Sequence, residues 1–234
     1  MKIRHLSLSL ASLFATACGP NVVSSGAPDA GQKAPVDAGT PADAGTESNP
    51  YPAGPYGVHV NSVIQDFVLP GYLATGDTVA TSTLPLDPSL DLEAIRNQVD
   101  ESGKPFRYLL LDISAGWCNP CNQESQDLGL MGTNSNLIPM WRSEGGLFMT
   151  VLVEGDNEQT EAAPQLSDLT TWIDTHDVQF TMGYDPMQVL IAQGITPSAF
   201  PTNLVIDLQT MQIVDAWAGL DTSYQKWVAV LNGQ

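Results

Sequence analysis

Large apolar residues are sparse from about residue 19 to 55 and periodic beyond it. Phe106 to Ile113 is a nearly continuous apolar run (Phe106, Tyr108, Leu109, Leu110, Leu111, Ile113), the pattern of a central strand buried on both faces. Leu147 to Val153 repeats it. Asn203 to Leu208 and Met211 to Ala216 flank Gln209-Thr210 and predict a hairpin. Helical signals fall between these runs. One helix is expected from about Cys118 to Leu130, interrupted by Gly132 to Asn136 and resumed over Leu137 to Arg142. Pro164 opens another, carrying Leu166, Leu169, Trp172 and Ile173. Asp185-Pro186 opens a short one with Val189 and Leu190, ended by Gly194, and Tyr224 to Leu231 closes the chain with Trp227, Val228 and Leu231 inward. Upstream, Val60 to Leu69 suits a strand that Pro70-Gly71 breaks. Thr78 to Leu86 suits an edge strand or loop. Asp87-Pro88 suits the start of a helix with Leu90, Leu92, Ile95 and Val99, stopped by Gly103-Lys104-Pro105. The order β, α, β, α, β, β, α, after some extra elements, predicts one α/β domain over residues 56–234, a mixed central sheet flanked by helices.

The first 55 residues have a different purpose. Lys2 and Arg4 precede the short run Leu6 to Phe14, which is too short to span a bilayer; small residues lead to Cys18. Residues 1–17 are expected to be a secretory signal, and the ending resembles that of bacterial lipoproteins, which are cleaved before a cysteine that then receives lipid. That resemblance implies lipidation of Cys18, with Ala15 where such signals usually carry Leu. The alternative is an ordinary signal peptide that leaves Cys18 a free thiol. Gly19, rather than Asp, follows the cysteine, which by the same resemblance favours an outer over an inner membrane. Residues 18–55 are rich in Pro, Ala, Gly and Asp, with Asp-Ala-Gly at 29–31, 37–39 and 43–45. Such a segment cannot bury enough apolar surface to offset its ordering entropy, so a disordered tether is expected. No later run is long enough to span a membrane.

Charge narrows the partners. Beyond residue 17 there remain 6 Lys and Arg against 26 acids, a formal −20. Such a surface repels phosphate backbones and gives no charge attraction to an anionic bilayer, so nucleic acid is not an expected partner.

Three cysteines are too few for a disulfide-stapled scaffold. Two of them, in Trp117-Cys118-Asn119-Pro120-Cys121, fall directly after a buried strand and at a helix start. There, unpaired N–H groups and the helix dipole favour a thiolate at Cys118. Cys121, three residues on, shares the same helix face and can reach it. Pro120 fits the first turn. Zinc needs about four ligands, and His59 and His176 stand in no ligand-pair spacing, so no metal is expected. A purely structural disulfide closing so short a loop restrains the unfolded chain little. The reading from the residues is therefore thiol–disulfide exchange, which needs no cofactor.

The stretch Leu109 to Cys121 resembles the thioredoxin superfamily. Asp112, six residues before Cys118, falls in the register of that family's buried aspartate, and Trp117 in that of its Trp before the first cysteine. Phe200-Pro201-Thr202 resembles the family's cis-proline segment. The anchor, tether and N-terminal extension are similar to its TlpA/redoxin-like branch. The resemblance implies a thioredoxin-like fold. It further implies catalysis by Cys118 and Cys121, with a buried Asp112 of raised pKa taking the Cys121 proton. A partner-binding surface of Trp117, Phe200, Pro201 and Thr202 would pair with an extended chain. The implied partners are protein thiols and disulfides of the cell envelope plus a redox partner, the implied location is the envelope facing the periplasm, and the membrane contact is the lipid on Cys18. Electron direction stays open.

Three rivals share some of these features. A peroxiredoxin-type peroxidase wants a Thr before its reactive cysteine, where Ser114 is the nearest hydroxyl. A copper-delivery protein uses a longer cysteine spacing plus a distant His; His176, in a helix, is expected to face solvent. A non-catalytic surface module would keep its disulfide for stability alone. Met131, Met140 and Met149 are expected to be core filler.

Overall fold

The structure, a computed structural model, describes residues 50–74, 84–158 and 161–233. The expected signal, Cys18, the tether up to residue 49 and most of the Thr78 to Leu86 segment lie outside the described residues.

The central strands form where the apolar runs predict them. β3 (Tyr108–Ala115) is buried along its whole length, and β4 (Gly146–Glu154) all but its last residue. They pair in parallel with β5 (Thr181–Tyr184) next to β4. β6 (Thr202–Asp207) lies antiparallel on the other side of β3, followed by β7 (Gln212–Ala218). β1 (Val68–Tyr72) is antiparallel to β5 and carries β2 (Asp87–Asp91) at the sheet edge. Among the described residues the order is β2-β1-β5-β4-β3-β6-β7, a mixed sheet as expected.

Several elements depart from the sequence expectation. Pro70-Gly71 lies inside β1 instead of ending it, because the register shifts between Leu69 and Gly71. Asp87-Pro88 opens β2, not a helix; an edge strand tolerates the missing N–H. The helix α1 is only Leu92–Arg96, capped by Asp91 accepting from the Ala94 N–H at 2.6 Å, and Val99 is exposed beyond it. β5 was not anticipated. Packing also starts earlier than residue 56: Tyr51 Oη donates to the Ile64 carbonyl at 2.9 Å.

Helices cover both faces. α2 (Asn119–Leu128), α3 (Leu137–Ser143), α4 (Leu166–His176) and α6 (Gln225–Leu231) share a core with Leu110, Phe148 and Val205. Trp141, Phe148 and Trp227 form its aromatic centre, with Trp227 5.5 Å from Phe148. α1 and the short α5 (Val189–Ala192) contribute Leu92, Ile95 and Leu190 to the opposite core with Leu109, Leu111 and Ile113. Leu169, Trp172 and Ile173 of α4 are buried as expected, while Leu166 is exposed. Met149 is core, but Met131 is 86% exposed and no filler at all.

One buried cation anchors the N-terminal strap. Arg96 donates to the carbonyls of Leu208 (3.0 Å), Pro50 (3.1 Å) and Gln209 (3.3 Å). Arg96→Ala is expected to leave these carbonyls without their charged donor and to cost about 3 kcal/mol in urea unfolding. Faster proteolysis near Tyr51 should accompany it.

Candidate active site

The strand β3 alternates, so Tyr108, Leu110 and Asp112 point to the α2 side and Leu109, Leu111 and Ile113 to the other. Asp112 stands opposite Thr150 of β4 and Asn203 of β6. A polar row thus crosses an otherwise apolar sheet face beneath α2. Ser114 Oγ and Thr150 Oγ1 donate to Asp112 Oδ2 at 2.8 and 2.9 Å. The other oxygen, Oδ1, has no hydrogen-bond partner among the described residues. Burial raises the Asp112 pKa to about 7, against the pull of its two hydroxyl donors.

After β3 the chain turns through Gly116 and Trp117 into α2. A side chain at Gly116 would collide with Asp156 and the Gly155 backbone, so this turn needs glycine. Cys118 is the N-cap of α2, and its Sγ accepts from the Cys121 N–H at 3.2 Å. Pro120 stands in the first turn. Cys118 and Cys121 form a disulfide with Cα atoms 5.3 Å apart. Both cysteines are buried, Cys118 at 2% exposure. Trp117 is held by its Nε1–H donating to Glu154 Oε2 at 2.8 Å, and its ring meets the edge of Phe200 with centroids 5.7 Å apart. The Phe200–Pro201 peptide is cis. Thr202 Oγ1 donates back to the Ala199 carbonyl at 2.7 Å, closing the segment. The structure thus brings Trp117, the disulfide and Phe200 into one packed group, with Pro201 and Thr202 next in the chain.

One residue escaped the sequence reading. The inward stripe of α2 is Cys121, Glu124, Ser125 and Leu128. Glu124 is 1% exposed, and neither carboxyl oxygen has a hydrogen-bond partner among the described residues. Burial, followed by the charge of Asp112, pushes its pKa well above the usual carboxylate range. Two buried carboxyls that act on each other hold at least one proton between them near neutrality. The signal was present in the sequence: an acid at a core-facing helical position, one turn after a cysteine. His176 also differs from expectation. It is half-buried and its ring bonds to Asn122, while His59 is exposed.

No protein-family model matches the chain, and no curated protein matches it. Solved structures do. A Chlorobium tepidum protein described as a DsbE-type thiol:disulfide interchange protein superposes with a TM-score of 0.50 at 16% identity, over 75% of this chain and 96% of that one. A Bacteroides thetaiotaomicron protein described as a protein disulfide isomerase gives 0.51 at 14% identity, over 76% and 90%. The reduced 2-Cys peroxiredoxin of Plasmodium vivax gives 0.52 at 9% identity, over 75% and 81%. The chain therefore has the thioredoxin-like fold that its sequence resembles, with a Cys-X-X-Cys disulfide at the start of α2. Among the described residues no helix is long and apolar enough to cross a membrane.

Proposed function

We propose that this protein is a thiol–disulfide oxidoreductase acting on protein partners outside the cytoplasm, held to the cell envelope by a lipid on Cys18. The observation that carries the reading is the pair of protonatable carboxyls, Asp112 on β3 and Glu124 on the inward stripe of α2, both buried, with Cys121 on that same stripe. A disulfide kept only for stability gives no reason to bury two acids. Glu124, with no hydrogen-bond partner among the described residues, would be more stable as an apolar residue.

In the reducing direction the Cys118 thiolate attacks one sulfur of a partner disulfide, and the first partner thiolate leaves. Cys121 then attacks Cys118 Sγ, the second partner thiolate leaves, and the protein disulfide forms; two electrons have passed to the partner. The Cys121 proton passes to the carboxyl pair. Oxidation of a partner is the same path reversed. Trp117, Phe200, Pro201 and Thr202 receive the partner chain.

The test is equilibration of the purified protein with glutathione redox buffers, scored by alkylation of Cys118 and Cys121. A single two-electron transition is expected, and its midpoint assigns the direction: near −270 mV for a reductant, nearer −120 mV for an oxidant. A disulfide that never exchanges with glutathione or any dithiol points to the non-catalytic module instead. Peroxide consumption at a catalytic rate would favour the peroxidase.

A further inference from the structure

α2 and α4 are joined by two side-chain bonds. Trp172 Nε1 donates to Ser125 Oγ at 3.0 Å, and His176 Nε2 lies 3.0 Å from Asn122 Oδ1. Asn122 directly follows Cys121. Its Nδ2 donates to the Gly116 carbonyl at 3.0 Å and to the Cys118 carbonyl at 2.9 Å. Those carbonyls flank Trp117, on the turn that carries the attacking sulfur. Both amide hydrogens are used, so Oδ1 is the atom facing His176. An acceptor there requires His176 to donate from Nε2. The Trp172 ring holds the imidazole edge-on, with centroids 5.0 Å apart at 70°. A directed chain therefore runs from His176 through Asn122 to the backbone of Cys118, and no step of the exchange reaction described above uses it.

We propose that Asn122 and His176 are positioning residues of the exchange site, pinning the 116–118 turn from outside and coupling the charge on His176 to the reactivity of Cys118. The inference rests on the reading of Cys118 as the attacking thiol. Nε2 is already the donor, so a second proton goes to Nδ1 and leaves the chain intact. The added charge polarises both Asn122 N–H bonds toward the Cys118 and Gly116 carbonyls and favours a nearby thiolate. Burial lowers the His176 pKa, so charging occurs on the acid side of the ordinary histidine range. Acids stand on both elements packed here, Asp168 and Asp174 on α4 with Asp177 as its C-cap, and Glu124 and Asp127 on α2; burial sets the direction of the shift.

The test uses the reduced full chain, with the rate of iodoacetamide alkylation followed at the Cys118 peptide by mass spectrometry from pH 4.5 to 9. The wild type should show a second, acidic inflection below that of the thiol itself. His176→Phe keeps a ring against Trp172 but breaks the chain; it and Asn122→Ala should each slow alkylation at pH 7 by about 3- to 10-fold. His176→Gln can still donate to Asn122. It should recover the neutral-pH rate to within about twofold and lack the acidic inflection. Superimposable profiles for wild type, His176→Gln and His176→Phe overturn the proposal, as does a Gln variant as slow as the Phe variant. Alkylation reads Cys118 directly, with or without a partner. A protein that alkylates as expected but exchanges with no disulfide would sink the functional reading, and with it the role in exchange, while leaving the coupling of His176 to Cys118 in place.

Discussion

Cys118→Ser should abolish exchange, with a loss of at least roughly 1000-fold, because a serine hydroxyl at neutral pH is neither ionised nor a competent attacker of sulfur. Cys121→Ser should behave differently. It still attacks but cannot resolve, so it should accumulate a partner-linked species that reducing agent releases on a non-reducing gel. The asymmetry follows from position. Cys118 caps α2, where the helix dipole and the free N–H groups favour its thiolate, while Cys121 points into the core with Glu124. Equal accumulation of the partner-linked species in the two serine variants would remove the assigned division of labour. Unchanged turnover in the double variant would remove the site altogether.

The second large effect concerns the buried acids. Asp112 has a folded pKa near 7, above its unfolded value. Its preference for the folded state is therefore complete below about pH 4 and is lost as pH rises through 7. Glu124, also raised, acts in the same direction. The wild type should become less stable from pH 5 to pH 8. Asp112→Asn keeps an acceptor for the Ser114 and Thr150 hydroxyls and cannot ionise. It should gain roughly 2–4 kcal/mol over wild type at pH 8 and little at pH 4, measured by urea unfolding of the oxidised protein. Its cost should be kinetic: resolution of a trapped mixed disulfide should slow and lose its inflection near pH 7. Glu124→Gln should show the same pattern. A variant that is no more stable at pH 8 and resolves as fast as wild type would contradict both roles.

The parts of the fold that were legible in the sequence are those whose pattern is self-sufficient. β3 and β4 are long apolar runs, and the 203–216 hairpin is two runs around a two-residue gap. β5 is four residues with Gly183 inside, and it is a strand because β4 and β1 pair with it on either side; its own propensity is weak. β2, with Pro88 in Asp-Pro-Ser-Leu-Asp, is likewise made a strand by its partner. The site was legible along the chain and not across it. Cys118, Cys121, Asp112 and Trp117 stand within ten residues of one another, and Pro201 was reached by resemblance. Glu124 was hidden by a general expectation that helix acids face water, which only the inward stripe of α2 overrules. His176 sits 54 residues from Asn122, and nothing in the local pattern of either announces the bond.

The Arg96 clamp has a practical consequence. Its carbonyl partners Leu208 and Gln209 lie where β6 has ended, whereas Pro201 and the disulfide lie where β6 begins. Pro50, held by the same guanidinium, therefore sits at the pole away from the redox face. A support or label attached through the N-terminal side joins the domain at that pole. Fixed to a bead through Pro50, the domain is expected to keep its redox face toward a soluble partner.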